Sequence, residues 1–223
     1  MSRSIFVLGL LLACLALGAC TETRFEAPLG DNIETCDTAW KGLWLQDRDS
    51  TARKDEREDR VGFFVDEACA LTLFEQPATG TTLKRWRIPI NFVHLRGDDY
   101  VVVADSALRV LGEIAPPWGI DPPPAKSYYY LRYRVRGERL ELYDVDSAKA
   151  ARLVIDGKFD GTVSKTHGEL HVYVRGGRAQ MVDIVRRHDL FASKPSHVFH
   201  RAQGTLQDLE RSLESAPAPD RRR

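Results

Sequence analysis

Between Tyr129 and Val145 the sequence leaves little freedom of fold. Leu131, Tyr133 and Val135 alternate with Arg132, Arg134 and Arg136, the two-residue period of a half-buried strand. Gly137-Glu138 supplies a turn, and the register that follows sets Val135 opposite Leu140 and Tyr133 opposite Leu142 on the inner face. Arg134 then falls opposite Glu141 outside, an attraction of ~0.2–1 kcal/mol. Alternation, turn chemistry and charge all demand an antiparallel hairpin.

The same signals recur along the chain. Trp40-Lys41-Gly42-Leu43-Trp44-Leu45 reads as a first strand, and Phe63-Phe64-Val65 and Ala70 to Phe74 as short apolar strands. Arg87 to Leu95 leads through Gly97-Asp98 into Tyr100 to Ala104. A Gly-first turn of type II′ there pairs Leu95 with Tyr100 and Val93 with Val102. Pro89 belongs at an edge, a bulge or a strand start, because it cannot donate to a ladder. Gly176-Gly177 predicts a third hairpin, with Leu170, Val172, Val174, Ala179 and Met181 on one face, and Ala151–Ile155 and Phe159–Val163 are further strand candidates. Five prolines make 112–126 a long loop. Leu206, Leu209 and Leu213 follow Thr205 at helical spacing. The pattern predicts an all-β fold, an antiparallel meander forming a barrel or strongly curved sheet, closed by a short C-terminal helix.

The first residues are a separate object. After Arg3 an apolar stretch runs from Ile5 to Leu17, followed by Gly18, Ala19 and Cys20. A short positive start, a core too short to span a bilayer comfortably and small residues at its end mark an export signal. Leu17-Gly18-Ala19-Cys20 resembles the lipobox of bacterial lipoproteins. That resemblance implies cleavage before Cys20, acylation of its thiol and, with Thr21 rather than Asp next, an outer-membrane protein facing the periplasm. Leu12-Ala13-Cys14 is a rival site that would leave Leu15-Ala16-Leu17 as an apolar stub. The expected organisation is therefore a signal peptide over 1–19, a polar tether over 20–35, a single β-barrel-like domain over 36–215 and a disordered tail over 216–223. Cys36 and Cys69 are then an even pair in an oxidising compartment, which predicts a disulfide. The Gly42-x-Trp44 of the first strand is similar to the opening signature of lipocalin-type barrels. It implies a small apolar ligand or a packed barrel bottom around Trp44.

Charge and motifs narrow the chemistry. Lys+Arg and Asp+Glu both number 32, whereas nucleic-acid binding draws on a basic excess. The alternating charges of Asp47–Arg60 largely cancel and read as a solvated segment. His167-Gly168-Glu169-Leu170-His171 has Glu in the wrong place for a zinc protease, and on a strand its histidines stand about 13 Å apart, too far for one metal. His188, His197 and His200 could converge on a metal only through tertiary structure, and His94 reads as a satisfied, partly buried strand residue. No Gly-x-Ser-x-Gly elbow, phosphate loop or dinucleotide fingerprint is present. Alternation sends Tyr129 inward and Tyr128 and Tyr130 outward, where with Trp118 they would form an aromatic contact patch. The sequence thus predicts a membrane-anchored binding domain, not an enzyme, with no cofactor and no nucleic-acid partner. Its expected partner is a small apolar ligand or an envelope protein. The alternatives are an assembly role in an outer-membrane complex and, further off, a hydrolase.

Overall fold

The computed structural model describes residues 21–30, 35–47, 60–76, 82–111, 124–166 and 169–214. Among them run β1 (Thr21–Phe25), β2 (Gly42–Gln46), β3 (Arg60–Val65), β4 (Leu71–Gln76), β5 (Lys84–Ile88) and β6 (Asn91–Leu95). These are followed by β7 (Asp98–Ala104), β8 (Tyr128–Arg136), β9 (Arg139–Tyr143), β10 (Gly161–Thr166), β11 (Glu169–Val174) and β12 (His197–Ala202). The helices are α1 (Asp105–Leu108), α2 (Ser147–Ile155), α3 (Arg178–Arg187) and α4 (Leu206–Glu214). Cys20, the leader, the tail and most of the proline-rich loop lie outside the described residues.

Antiparallel pairing carries the sheet from β2 through β3, β4 and β5, and separately from β6 through β7, β8, β9 and β12 back to β2. The round has one gap, between β5 and β6, which are consecutive in the chain and separated only by Pro89 and Ile90. Proline has no N–H to give a ladder, so the strand breaks there and its two halves bond to different neighbours. The all-β expectation therefore holds as a strongly curved, largely antiparallel sheet. Its inner face packs Trp40, Trp44, Phe63, Phe92, Tyr133, Leu140 and Phe199 into one core.

Local chemistry sets the registers. The β8–β9 hairpin pairs Val135 with Leu140, Arg134 with Glu141 and Tyr133 with Leu142, as the alternation requires. The β6–β7 register differs from the expected one. Its turn is Arg96-Gly97, with φ of 55° and 86°, so Leu95 pairs with Asp98 and Val93 with Tyr100. Two positive φ values are the signature of a type I′ turn, which starts one residue earlier than Gly97-Asp98. The register moves by two residues, so each side chain keeps its face. Gly62 is fixed by contact: a Cβ there would lie 2.3 Å from the Trp44 carbonyl oxygen and 2.5 Å from the Phe74 ring.

Three expected elements are corrected. Thr21–Phe25 is not tether but a strand, laid parallel to β11 from Thr21↔Leu170 to Phe25↔Val174. Phe25 is fully buried and stacks on Tyr130, with ring centroids 3.9 Å apart. Ala151–Ile155 is the end of α2, which starts where the Asp146 carboxylate accepts from Lys149 N, an N-cap bond. Gly176-Gly177 is not a hairpin turn but the entry to α3, where Gln180 Oε1 accepts from Gly177 N. Met181, Ile184 and Val185 then fall on one helical face and are buried, each contributing ~1.5–3 kcal/mol of apolar transfer. Phe159–Val163 keeps its strand character in part, as β10.

All three corrected elements pack on a second core, on the outer face of β7 and β8. Phe25, Tyr100, Val102, Tyr130, Val172, Met181 and Leu190 pack there beneath α2 and α3. A strand with apolar packing on both faces loses the alternation by which a one-sided strand is recognised. A third cluster (Leu43, Phe74, Leu83 and Leu206) lies under α4. That helix begins as expected after Thr205, whose Oγ1 accepts from Asp208 N while its own N donates to Asp208 Oδ2. Cys36 and Cys69 are bonded, with Cα atoms 5.3 Å apart, within the normal span.

Candidate functional site

The curved sheet encloses a chamber of about 570 Å³, inside the range of small-molecule sites. Because strand residues alternate, the inward set of each strand supplies its wall. Val101 and Val103 of β7, Leu131 of β8, Leu142 of β9, Phe199 of β12 and Phe63 of β3 line it. At the entry to β2, Trp40 lines the chamber and Trp44 is buried beside it. The Trp44 indole donates to Trp40 O at 2.7 Å, and the Arg201 guanidinium lies over its ring at 4.3 Å. Arg201 also donates to Ala39 O and to Lys41 O, which ties β12 to the chain entering β2. This end is closed by packing.

The other end is polar. Strand β1 brings Glu22 and Arg24 to it, β8 brings Tyr129 and β11 brings Glu169 and His171. Arg24 has 3% of its side chain exposed and is paired with Glu22 at 3.0 Å and Asp105 at 3.3 Å, while stacking over Tyr129 at 4.8 Å. A buried guanidinium requires such partners, since desolvating it alone costs several kcal/mol. Glu22 also accepts from the Tyr129 hydroxyl at 3.0 Å and stands 3.2 Å from His171 Nδ1. Burial raises the pKa of Asp105, against the pull of Arg24, and pushes the Tyr129 phenol far up. Across the mouth Asp144 and His197 stand 3.9 Å apart. Burial raises the Asp144 carboxyl and lowers the His197 imidazole, each opposed by the other's charge. His171 Nε2 lies 3.5 Å from Glu169 and His197 Nε2 3.9 Å from Asp144, and neither buried nitrogen makes a hydrogen bond.

His188, His197 and His200 do not converge on one point. His188 packs edge-on against Phe159, His200 pairs with Asp47 at 2.9 Å, and His197 faces the chamber. His171 lies on a strand as expected, and His167 is outside the described residues. His94 is satisfied by Asp99 at 2.7 Å, but at the surface, with 42% of its side chain exposed. Among the described residues no group of three His, Cys, Asp or Glu side chains is placed to hold a metal ion, and no helix is long and apolar enough to cross a membrane. Tyr129 faces inward as alternation requires. Tyr130 points the other way but is 2% exposed, covered by the second core, so it is not part of an exposed aromatic patch. Trp118 is outside the described residues.

Sequence reasoning missed Glu22 and Arg24 because their segment reads as tether. The signal was present in Thr21-Glu22-Thr23-Arg24-Phe25, which alternates, although its partner strand lies far along the chain. Together the fold and the chamber define a strongly curved, mostly β domain with an apolar chamber and a polar mouth. Comparison of the chain with protein-family models, with curated proteins and with solved structures finds no match.

Proposed function

We propose that this chain is a lipid-anchored protein of the bacterial envelope that holds a small apolar or amphiphilic molecule in its chamber. The observation that carries the reading is the apolar-lined volume of about 570 Å³ ending in the polar group of Glu22, Arg24, Tyr129 and His171. Such a site suits a ligand with a hydrocarbon body, which gains ~0.8 kcal/mol per buried methylene. A polar head would meet the imidazole nitrogens at the mouth. The anchor is Cys20, acylated as the lipobox resemblance implies, on the periplasmic side of the outer membrane. The likeness of Gly42-x-Trp44 to the lipocalin signature is supported by the position of Trp44 at the closed end. The test is native extraction from envelope membranes followed by mass spectrometry of bound small molecules. One recurrent species near one equivalent per chain is expected, and extraction of an empty chain counts against the reading.

A second reading rests on the carboxylate–histidine contacts at the mouth. Glu22 with His171, or Asp144 with His197, has the pairing that general acid–base catalysis employs, which would make the chamber a hydrolase site for an apolar ester. Turnover of fatty-acyl ester substrates that disappears in His171→Gln or His197→Gln would favour this reading over simple binding.

A further inference from the structure

The start of the expected tether, Thr21–Phe25, is a strand, and this bears on where the chamber points. We propose that the anchor holds the domain on a leash one residue long, so that the chamber's polar mouth faces the headgroup layer of the membrane carrying it. The proposal rests on the lipid-anchor reading of Cys20. Thr21 is already paired with Leu170 and lines the chamber mouth together with Glu22 and Glu169. The Cα of Cys20 is therefore about 3.8 Å from a residue fixed in the sheet. Acyl chains on that cysteine lie in hydrocarbon, which leaves the mouth no distance to retreat.

Strand β1 cannot lengthen the leash by peeling away. Doing so would expose Phe25, strand the Arg24 charge away from Asp105, and break five pairings with β11. The closed end points away: Asp144 at the mouth and Arg139 at the β8–β9 turn are about 16 Å apart along β9. The rim also carries an apolar side chain. Val110 is 53% exposed and stands between Leu108 and Leu111, which line the chamber. Mouth carboxylates (Glu22, Glu169, Asp144 and Asp146) outnumber Arg24 as fixed charges there, so attraction to anionic lipid does not explain the contact. The partner is the bilayer surface, held close by the covalent anchor.

The experiment uses the full acylated chain in nanodiscs of phosphatidylethanolamine and phosphatidylglycerol carrying a few per cent of nitroxide-headgroup lipid. Backbone amides of Thr21–Arg24 and Glu169–His171 are expected to be broadened several-fold more than those of Gly97 and Gly137. Inserting about twenty Gly and Ser residues between Cys20 and Thr21, a reach of about 25 Å, should bring the two groups to similar broadening. Equal broadening without the insert, or no change with it, overturns the orientation. Intact mass separates the two layers of the argument. A chain without acyl groups refutes the anchor and this proposal with it, whereas an acylated chain with uniform broadening refutes the orientation alone.

Discussion

Replacing Trp44 by Ala should remove the closed end of the chamber and much of the domain's stability. Trp44 is fully buried, and its ring packs between the Arg201 guanidinium at 4.3 Å and Phe63 at 6.1 Å. Truncating a buried aromatic of this size costs ~3–5 kcal/mol, roughly a fifth or more of the stability of an ordinary domain. The more conservative Trp44→Phe keeps most of the apolar contact. It leaves Trp40 O without its 2.7 Å donor, which costs ~1–3 kcal/mol. Guanidinium unfolding under oxidising conditions separates the cases. With a slope near ~4 kcal/mol/M, the Ala variant's midpoint should fall by about 1 M and the Phe variant's by roughly half of that. A midpoint within about 0.2 M of the parent for Trp44→Ala, at unchanged slope, would refute the packed bottom.

Three further outcomes follow from separate features. Replacing Cys36 and Cys69 together by Ser opens a loop of 33 residues and should cost about 4 kcal/mol in the chain-entropy account, read as the difference in unfolding free energy. Asp146→Ala removes the cap of α2 and should cost ~0.5–2 kcal/mol, with faster amide exchange at Lys149. Burial holds His197 neutral, with its pKa below the ordinary 6.5. The unfolded imidazole therefore takes up a proton near that pH and the folded one does not. Its contribution to stability is complete above pH 6.5 and declines as the pH falls below it, by at most about 1.4 kcal/mol per pH unit. Asp144, whose carboxyl burial pushes up, gains its proton first in the folded state and offsets part of the decline. Unfolding midpoints between pH 5 and 8 should show the decline flattened in His197→Gln.

How much of this was legible depended on whether local signals and tertiary packing agreed. They agreed at Val135–Leu140, where a glycine turn, alternation and opposed charges specify one register, and at Thr205–Leu206, where a cap precedes a periodic leucine pattern. They disagreed at Ala151–Ile155, whose branched and apolar residues resemble a strand, while the Asp146 cap and the buried pair Ala150 and Ala151 make a helix. They disagreed again at Gly176-Gly177, where two glycines suggest a turn but Met181, Ile184 and Val185 have helical spacing. The polar mouth was the least legible part. It is assembled from β1, β8 and β11, and the contact between Glu22 and His171 spans 149 positions of sequence. No local pattern announces a pairing of that range. The inward direction of Tyr129 could be read from alternation, but its carboxylate and guanidinium neighbours could not.

The central claim is that the chamber is a binding site, and a saturation titration with a fluorescent fatty-acyl probe tests it most directly. The full chain carrying Cys20→Ser should bind one equivalent, with emission shifted to the blue. Leu131→Trp, which pushes an indole into the chamber from β8, should abolish binding while the fold survives by circular dichroism. Unsaturable partitioning of the probe, or undiminished binding by a folded Leu131→Trp variant, would contradict the account.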